Sequence, residues 1–407
     1  MSQLIRLTFA LLVGLSVICP SLSFAQPDPF ASARRAMVQK AVIRSGVKHP
    51  RVIKSMQETP RHEFVARKNW PLAYYDMAIP IGAGQTISSP FIVAYMTESL
   101  DPQPGDRVLE VGTGSGYQAA VLSPIVKDVY TIEIVEELGK QAADTLKRLE
   151  YKNVYARVGD GYKGWPDRAP FHKIIVTCSP EKVPQPLVDQ LAEGGLMVIP
   201  VGQRYQQTLY LLRKTNGKLR SESLRPTLFV PMTGKAEDNR QVKPDPARPK
   251  VINGTFETGP DGDGFIRGWY YQRQTEWIQA DDAPQGDHYI QFKNRLAGRA
   301  AHLIQGIAVD GQKVTRLILS ARVSTKTVRA RGPQELGAVG IIFYDDKRNE
   351  VGREQLGPLS GTRPWQNLTT TVAVPVSARE AMLRIGLFGA VGSMSVDDVR
   401  VTVAETK

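Results

Sequence analysis

The chain has 407 residues, 42% hydrophobic and 23% charged, a balance that excludes wholesale disorder and leaves room for two or three folded domains. A formal charge of +12 suits anionic partners or surfaces without choosing among them. Two cysteines exclude a disulfide scaffold, and five histidines scattered among polar neighbours carry no zinc-type spacing, so no catalytic metal is expected.

At the N-terminus, Arg6, the apolar run Leu7 to Cys19, Pro20 and the small-residue pattern Ser23-Phe24-Ala25 make up the three regions of a secretory signal. The run is shorter than the roughly 20 residues that span a bilayer. Cleavage after Ala25, export to the periplasm or beyond, and a mature chain without a membrane span are therefore expected. From Pro29 to Ser55, charges interleave with Met37, Val38, Ala41, Val42 and Ile43, the pattern of one or two amphipathic helices that would form a lid ahead of a sheet.

Strands then alternate with helices. Strands are predicted at 107–111, 129–133, 154–158, 172–177 and 195–199, with helices from 116, at 135–149 and at 184–192, a doubly wound α/β pattern. Gln207–Arg213 and Leu224–Met232, separated by Thr215-Asn216-Gly217-Lys218, read as an antiparallel hairpin at the sheet edge. Residues 235–250, with Pro244, Pro246 and Pro249, read as an extended linker. Beyond Val251, short β-rich runs such as His288–Phe292, Arg316–Arg322 and Val339–Tyr344 alternate with turn signals, as in a β-sandwich. The expected division is a signal at 1–25, an α/β domain at 26–234, a linker at 235–250 and a sandwich at 251–407.

The chemistry concentrates at three successive strand ends. Val108-Leu109-Glu110-Val111 runs into Gly112, Gly114 and Gly116, whose missing Cβ atoms let the backbone turn and approach a ligand closely. Glu133 closes the next strand near the offset at which an acid reaches ribose hydroxyls. Gly159-Asp160-Gly161 closes the third, placing an acceptor where an adenine amino group would lie. The loop is neither the G-x-G-x-x-G of dinucleotide sites nor a P-loop, which favours S-adenosylmethionine over NAD or ATP.

Residues 35–234 resemble the protein-L-isoaspartate O-methyltransferases. The motifs that carry the likeness are Pro60–Val65, Ala78–Gly82, Gly84-Gln85-Thr86-Ile87-Ser88-Ser89-Pro90, the loop at 109–117, Gly159-Asp160-Gly161, Ile199-Pro200-Val201-Gly202 and Phe229-Val230-Pro231. The resemblance implies that Thr86 and Ser88 hold an isoaspartyl carboxylate, with Ile87, Pro200, Val201 and Gly202 along the substrate cleft. It also implies that Glu110, Gly112, Gly114, Gly116, Glu133, Asp160 and Gly161 hold S-adenosylmethionine, and that the partners are isoaspartyl-containing proteins. Thr86 and Ser88 have a plainer reading as caps of the helix starting at Pro90. Phe91 departs from the family, which often carries a polar or histidine side chain there. Export departs too, since the family is usually cytoplasmic. Methyl transfer to another carboxylate, a small molecule or RNA shares the cofactor half of such a site, and a noncatalytic envelope-binding protein is the reading from a different class.

The C-terminal part resembles jelly-roll modules of the carbohydrate-binding and galactose-binding-like type, from Asn253–Glu257 and Gly268-Trp269 to Val396–Val399. Trp269, Tyr270, Tyr271, Trp277 and Trp365 either stack on a sugar or pack a core. Glu257 and Asp397 either hold a structural calcium or stay solvated. The basic segment Arg322–Arg331 either engages an acidic polymer or is a charged loop between strands, and no nucleic-acid motif accompanies it.

Overall fold

The computed structural model describes residues 28–260, 262–330, 332 and 335–404. The signal-like segment ending at Ala25 lies outside the described residues. Among the described residues, no helix is long and apolar enough to cross a membrane.

Helix α1 (Ala31–Met37) runs through a wide turn, Val38–Val42, and a tight one, Ile43–Ser45, before α2 (Pro50–Glu58), which opens with proline at a position that needs no N–H. These turns are not a lid. Val38, Val42, Val52 and Met56 are fully buried in the core that contains Val121 and Val129, and Ser55 Oγ donates to the Val121 carbonyl at 2.6 Å. The polar stripe that suggested a mobile cover is only the solvent face of a packed element.

A small hairpin, β1 (Ile79–Gly82) and β2 (Gln85–Ile87), precedes α3 (Pro90–Ser99). The winding then runs β3 (Arg107–Val111), α4 (Tyr117–Leu122), β4 (Asp128–Glu133), α5 (Glu136–Arg148), β5 (Val154–Val158), β6 (Phe171–Val176), α6 (Gln185–Gln190) and β7 (Leu191–Gln203). Strands β8 (Gln206–Thr215) and β9 (Lys218–Thr227) complete a seven-stranded sheet of order β5-β4-β3-β6-β7-β8-β9, parallel up to β7 and antiparallel beyond it. Both faces are covered, which is why β3, β4 and β6 read as nearly unbroken apolar runs. Helix α5 carries Glu136 and Glu137 in its first turn and Lys147 and Arg148 in its last, favourable against the helix dipole, and buries Leu138, Ala142 and Leu146.

Two expectations shift. Strand β9 begins directly after the turn at Asn216 and Gly217, both with positive φ, and ends at Thr227, whereas the apolar pattern put a strand at Leu224–Met232. Its edge position lets Arg220, Ser221 and Glu222 face water, hiding the first half, while residues 228–232 leave the sheet. Residues 235–250 open with a short helix, α7 (Lys235–Asp238), and not with extended chain. Arg240 is buried there, donating to the Gly202 and Ser179 carbonyls at 3.1 and 2.9 Å.

The C-terminal part holds two five-stranded antiparallel sheets. One runs Tyr270–Arg273, Ala300–Ala308, Glu380–Phe388, Leu336–Tyr344 and Glu350–Leu359 in spatial order, the other Thr275–Gln279, His288–Asn294, Val391–Val403, Arg316–Arg329 and Gly361–Ala373. Alternate residues of both, among them Phe292, Leu319, Phe343 and Ile385, share one apolar core with Phe256 and Trp269. The aromatics weighed as a sugar platform are largely spent on packing. Trp269 is fully buried, with Nε1 donating to the Asn253 carbonyl. Trp277 stacks on His288 at 3.9 Å and donates to the Phe256 carbonyl. Tyr271 donates to the Leu228 carbonyl of the α/β part at 2.7 Å.

Glu257 and Asp397 meet at the loop 285–288, but their oxygens accept N–H groups. Glu257 takes those of Asp287 and His288, and Asp397 those of Gln285 and Asp398. Among the described residues, no group of three or more His, Cys, Asp or Glu is arranged to hold a metal ion.

Gln207 clamps the chain as it leaves β9, accepting from Phe229 N–H at 2.7 Å and donating to its carbonyl at 3.3 Å. Replacing it by leucine strands two buried backbone groups. Gln207→Leu should lower the unfolding free energy by about 2–3 kcal/mol, read by denaturant titration, with a slope like that of the wild type.

Candidate functional site

Strand β3 sits between β4 and β6, and the chain winds from it through β4 and β5 before crossing back to β6. Where the winding reverses, the carboxyl ends of the strands leave a crevice, the usual ligand position in such sheets. A cavity opens there, lined by Gly112–Ser115 after β3, Glu133 and Ile134 after β4, Gly161 after β5, and Thr177 and Cys178 after β6. Gln85–Ser88 and Val230–Thr233 close it from the outside.

The loop after β3 is tied on both sides. Gly112 N–H donates to the Ile132 carbonyl at 2.9 Å, Thr177 N–H donates to the Val111 carbonyl at 2.9 Å, and Thr177 Oγ1 donates to the Gly112 carbonyl at 2.6 Å. Gly112 has φ +96, and a Cβ there would stand 2.5 Å from Thr177 Oγ1, so only glycine fits. Glu133 accepts Gly114 N–H at 2.8 Å and Val135 N–H at 2.9 Å, which fixes its carboxylate against the cavity.

Glu110 is fully buried, lines the cavity, and neither of its oxygens has a hydrogen-bond partner. The adjacent Thr131 hydroxyl is engaged with Thr113 at 2.6 Å. Burial pushes Glu110 up to about 8, against a smaller lowering from Thr131 and with a further raising from Glu133. Such a carboxylate favours a bound cation. The fit to the group expected at this loop is good: close backbone, an anchored acid at Glu133, and at Glu110 a buried acid without a hydrogen-bond partner on the cavity wall.

The hydroxyls of Thr86 and Ser88 are not the caps of α3. The residue before the helix is Ser89, which makes no side-chain cap, and Phe91 N–H in the first turn donates to Asp76 Oδ1 at 3.0 Å. Thr86, Ile87 and Ser88 line the cavity together. Asp160 lies just behind Gly161, accepting Tyr162 N–H at 2.9 Å and Lys235 N–H at 3.3 Å. Gly116 starts α4 against Ala142 and Leu146. Pro200, Val201 and Gly202 run in β7 paired with Leu209, Thr208 and Gln207, outside the cavity lining.

Thr177 and Cys178 escaped notice in the sequence, although the rule that ligands sit beyond strand ends would have found them after β6. Burial and the carboxylates of Glu133, Asp160 and Glu110 push the Cys178 thiol up, so it lines the cavity as a neutral group.

Residues 32–237 match the profile of the protein-L-isoaspartate(D-aspartate) O-methyltransferases. The chain belongs to this family. A protein-L-isoaspartate O-methyltransferase of Picosynechococcus is 48% identical over 207 residues, covering 51% of this chain and 93% of the relative. One from Gloeobacter violaceus is 50% identical, covering 48% of this chain and 97% of the relative. Protein-L-isoaspartate O-methyltransferase 1 of Cupriavidus necator is 46% identical over 237 residues, 55% of this chain and 91% of the relative. The matched methyltransferase span ends within α7, and the two C-terminal sheets lie beyond it.

Because Glu110 holds its proton to a higher pH when folded than when unfolded, the unfolded chain releases that proton first as pH rises. The resulting destabilisation grows from about pH 4.5 and is complete above about pH 8. Glu110→Gln should therefore raise the melting temperature of the ligand-free protein by a few degrees at pH 8.5 and change it little at pH 4.5, read by calorimetry.

Proposed function

We infer that the chain transfers a methyl group from S-adenosylmethionine to the free carboxylate of isoaspartyl residues in damaged proteins, a repair reaction. The observation that carries this reading is that Thr86–Ser88 and the loop Gly112–Ser115 line one cavity, together with the unpartnered Glu110.

The cofactor supplies, when bound, a methyl carbon on a cationic sulfur. Gly112 and Gly114 would hold it with backbone free of side-chain obstruction, Glu133 would accept from its ribose hydroxyls, and Asp160 with Gly161 would hold its adenine. A cation bound in this cavity would favour the ionised form of Glu110, whose proton burial otherwise retains. Thr86 and Ser88 donate to the acceptor carboxylate, and Ile87 between them, buried in the core, fixes the end of β2. The attacking group is a carboxylate with a reference pKa near ~4, ionised at neutral pH, so no residue need act as base. The work left to the protein is alignment, which is worth effective molarities on the order of 10⁵–10⁸ M in well-oriented systems.

We assign methyl transfer to residues 26–234, a jelly-roll to 251–407, and an exported location to the mature chain on the pattern of residues 1–25. Fractionation of cells expressing the full chain tests the last of these, and a cytoplasmic mature protein would overturn it.

Two peptides identical except for one isoaspartyl or aspartyl linkage, offered with methyl-labelled S-adenosylmethionine, test the activity. Label should enter the isoaspartyl peptide alone. Ser88→Ala should lower kcat/KM roughly 10- to 100-fold, the loss of one hydrogen bond to a charged group, without changing cofactor affinity. Cofactor binding without transfer to either peptide would move the assignment to another acceptor.

A further inference from the structure

Phe91, anomalous for the family, is buried between two guanidinium groups, Arg225 of β9 at 4.8 Å and Arg273 of the C-terminal sheets at 4.7 Å from the ring centre. Arg273 also forms an ion pair with Asp76, and both side chains are about 15% exposed, at 15% and 14%. The other oxygen of Asp76 accepts the N–H of Phe91 in the first turn of α3. A path of two contacts thus leads from the C-terminal half to the start of the helix that Ser88 and Ser89 precede.

The same half touches the segment at its other end. Gly84, in the turn between β1 and β2, is buried with φ +70, and a Cβ there would stand 3.1 Å from the carbonyl oxygen of Asp346. Thr86–Ser88 is therefore held between two contacts with the C-terminal half, one before it and one after.

We propose that the C-terminal half positions the acceptor-binding segment Thr86–Ser88, with Arg273 as the positioning residue acting through Asp76 and Phe91. The inference rests on the acceptor role given above to Thr86 and Ser88. Removing one partner of a shielded ion pair leaves the other charge uncompensated, so the loss falls on whatever Asp76 holds in place, here the first turn of α3. The cofactor loop, tied to β4 and β6, is outside this path.

Two readouts on the full mature chain separate the proposal from the function it rests on. In Arg273→Ala, KM for the isoaspartyl peptide should rise roughly 5- to 30-fold while the dissociation constant for S-adenosylmethionine stays within about twofold, and Arg273→Lys should restore part of the loss. Amide exchange over residues 88–92 of the ligand-free protein should quicken about tenfold or more. If Arg273→Ala does not fold, Asp76→Asn, which keeps an acceptor for Phe91 N–H but drops the charge, carries the same readouts with smaller effects. Unchanged peptide KM and exchange, or peptide and cofactor terms moving together, would overturn the proposal. Should the wild type fail to methylate the peptide, the acceptor reading falls, and exchange at 88–92 alone decides whether Arg273 holds the segment.

Discussion

Parallel hydrogen bonding on both sides of β3 is the constraint on which the site depends. Because β4 and β6 flank it in register, the ladder continues past the strand: Gly112 bonds back to Ile132, and Thr177 bonds back to Val111. The loop cannot move away from a ligand, and its close approach to Thr177 leaves no room for a Cβ at position 112. Glu133 is fixed by the same device, since the Gly114 N–H it accepts belongs to that loop. Rigidity here is a precondition of methyl transfer, where the reacting atoms must be aligned and no proton need be moved.

The electrostatics follow from where the strands end. Glu110, Glu133 and Asp160 all lie at carboxyl ends of adjacent parallel strands or in the loops after them; burial is what chiefly pushes up both Glu110 and the Cys178 thiol, and the neighbouring carboxylates add to it, Glu133 at Glu110 and all three at the thiol. A buried carboxylate without donors is a cost to the fold, and natural sequences discard such costs unless they serve a purpose. A cation in the cavity offsets it. The Thr113–Thr131 hydroxyl pair, 2.6 Å apart, uses only one of its two hydrogens, and Thr131 lowers Glu110 by less than burial raises it.

The inner strands were legible from the residues because β3, β4 and β6 are covered on both faces and read as compact apolar runs, whereas Val154–Val158, an exposed edge strand, was legible from the Gly159-Asp160-Gly161 that ends it. Arg107–Val111 and Val154–Val158 fall where the pattern places them. The glycines, Glu133 and Asp160 were legible because their spacing reflects one local strand–loop–helix unit. What escaped depends on contacts far apart in sequence. The first half of β9 is polar because it is an edge, the helical stretch before α2 looks like a lid until its buried face is seen, and Trp269 looks like a platform until it is found in a core. Asp76 and Arg273 are 197 residues apart, and no local pattern joins them. Nor does any local pattern show that Arg225 and Arg273 both stand within 5 Å of the Phe91 ring centre, at 4.8 and 4.7 Å.

The junction between the halves reaches the cavity by a second route. Tyr271 donates to the Leu228 carbonyl, Gln207 brackets Phe229 on both its backbone groups, and the chain passes at once into Val230–Thr233, which line the cavity. Farther out, Tyr205 in the β7–β8 turn donates to Glu380 at 3.0 Å, an acid that Arg348 also pairs, and its ring lies so close to Gly306 that a Cβ there would come within 2.4 Å. The junction is thus built from shielded polar contacts and close backbone approach, which have steep distance dependence and few alternative arrangements. An apolar junction of equal area would tolerate sliding. Here the contacts end at Gln85–Ser88 and Val230–Thr233 of the cavity wall, while the loop at Gly112–Ser115 is bonded within its own sheet.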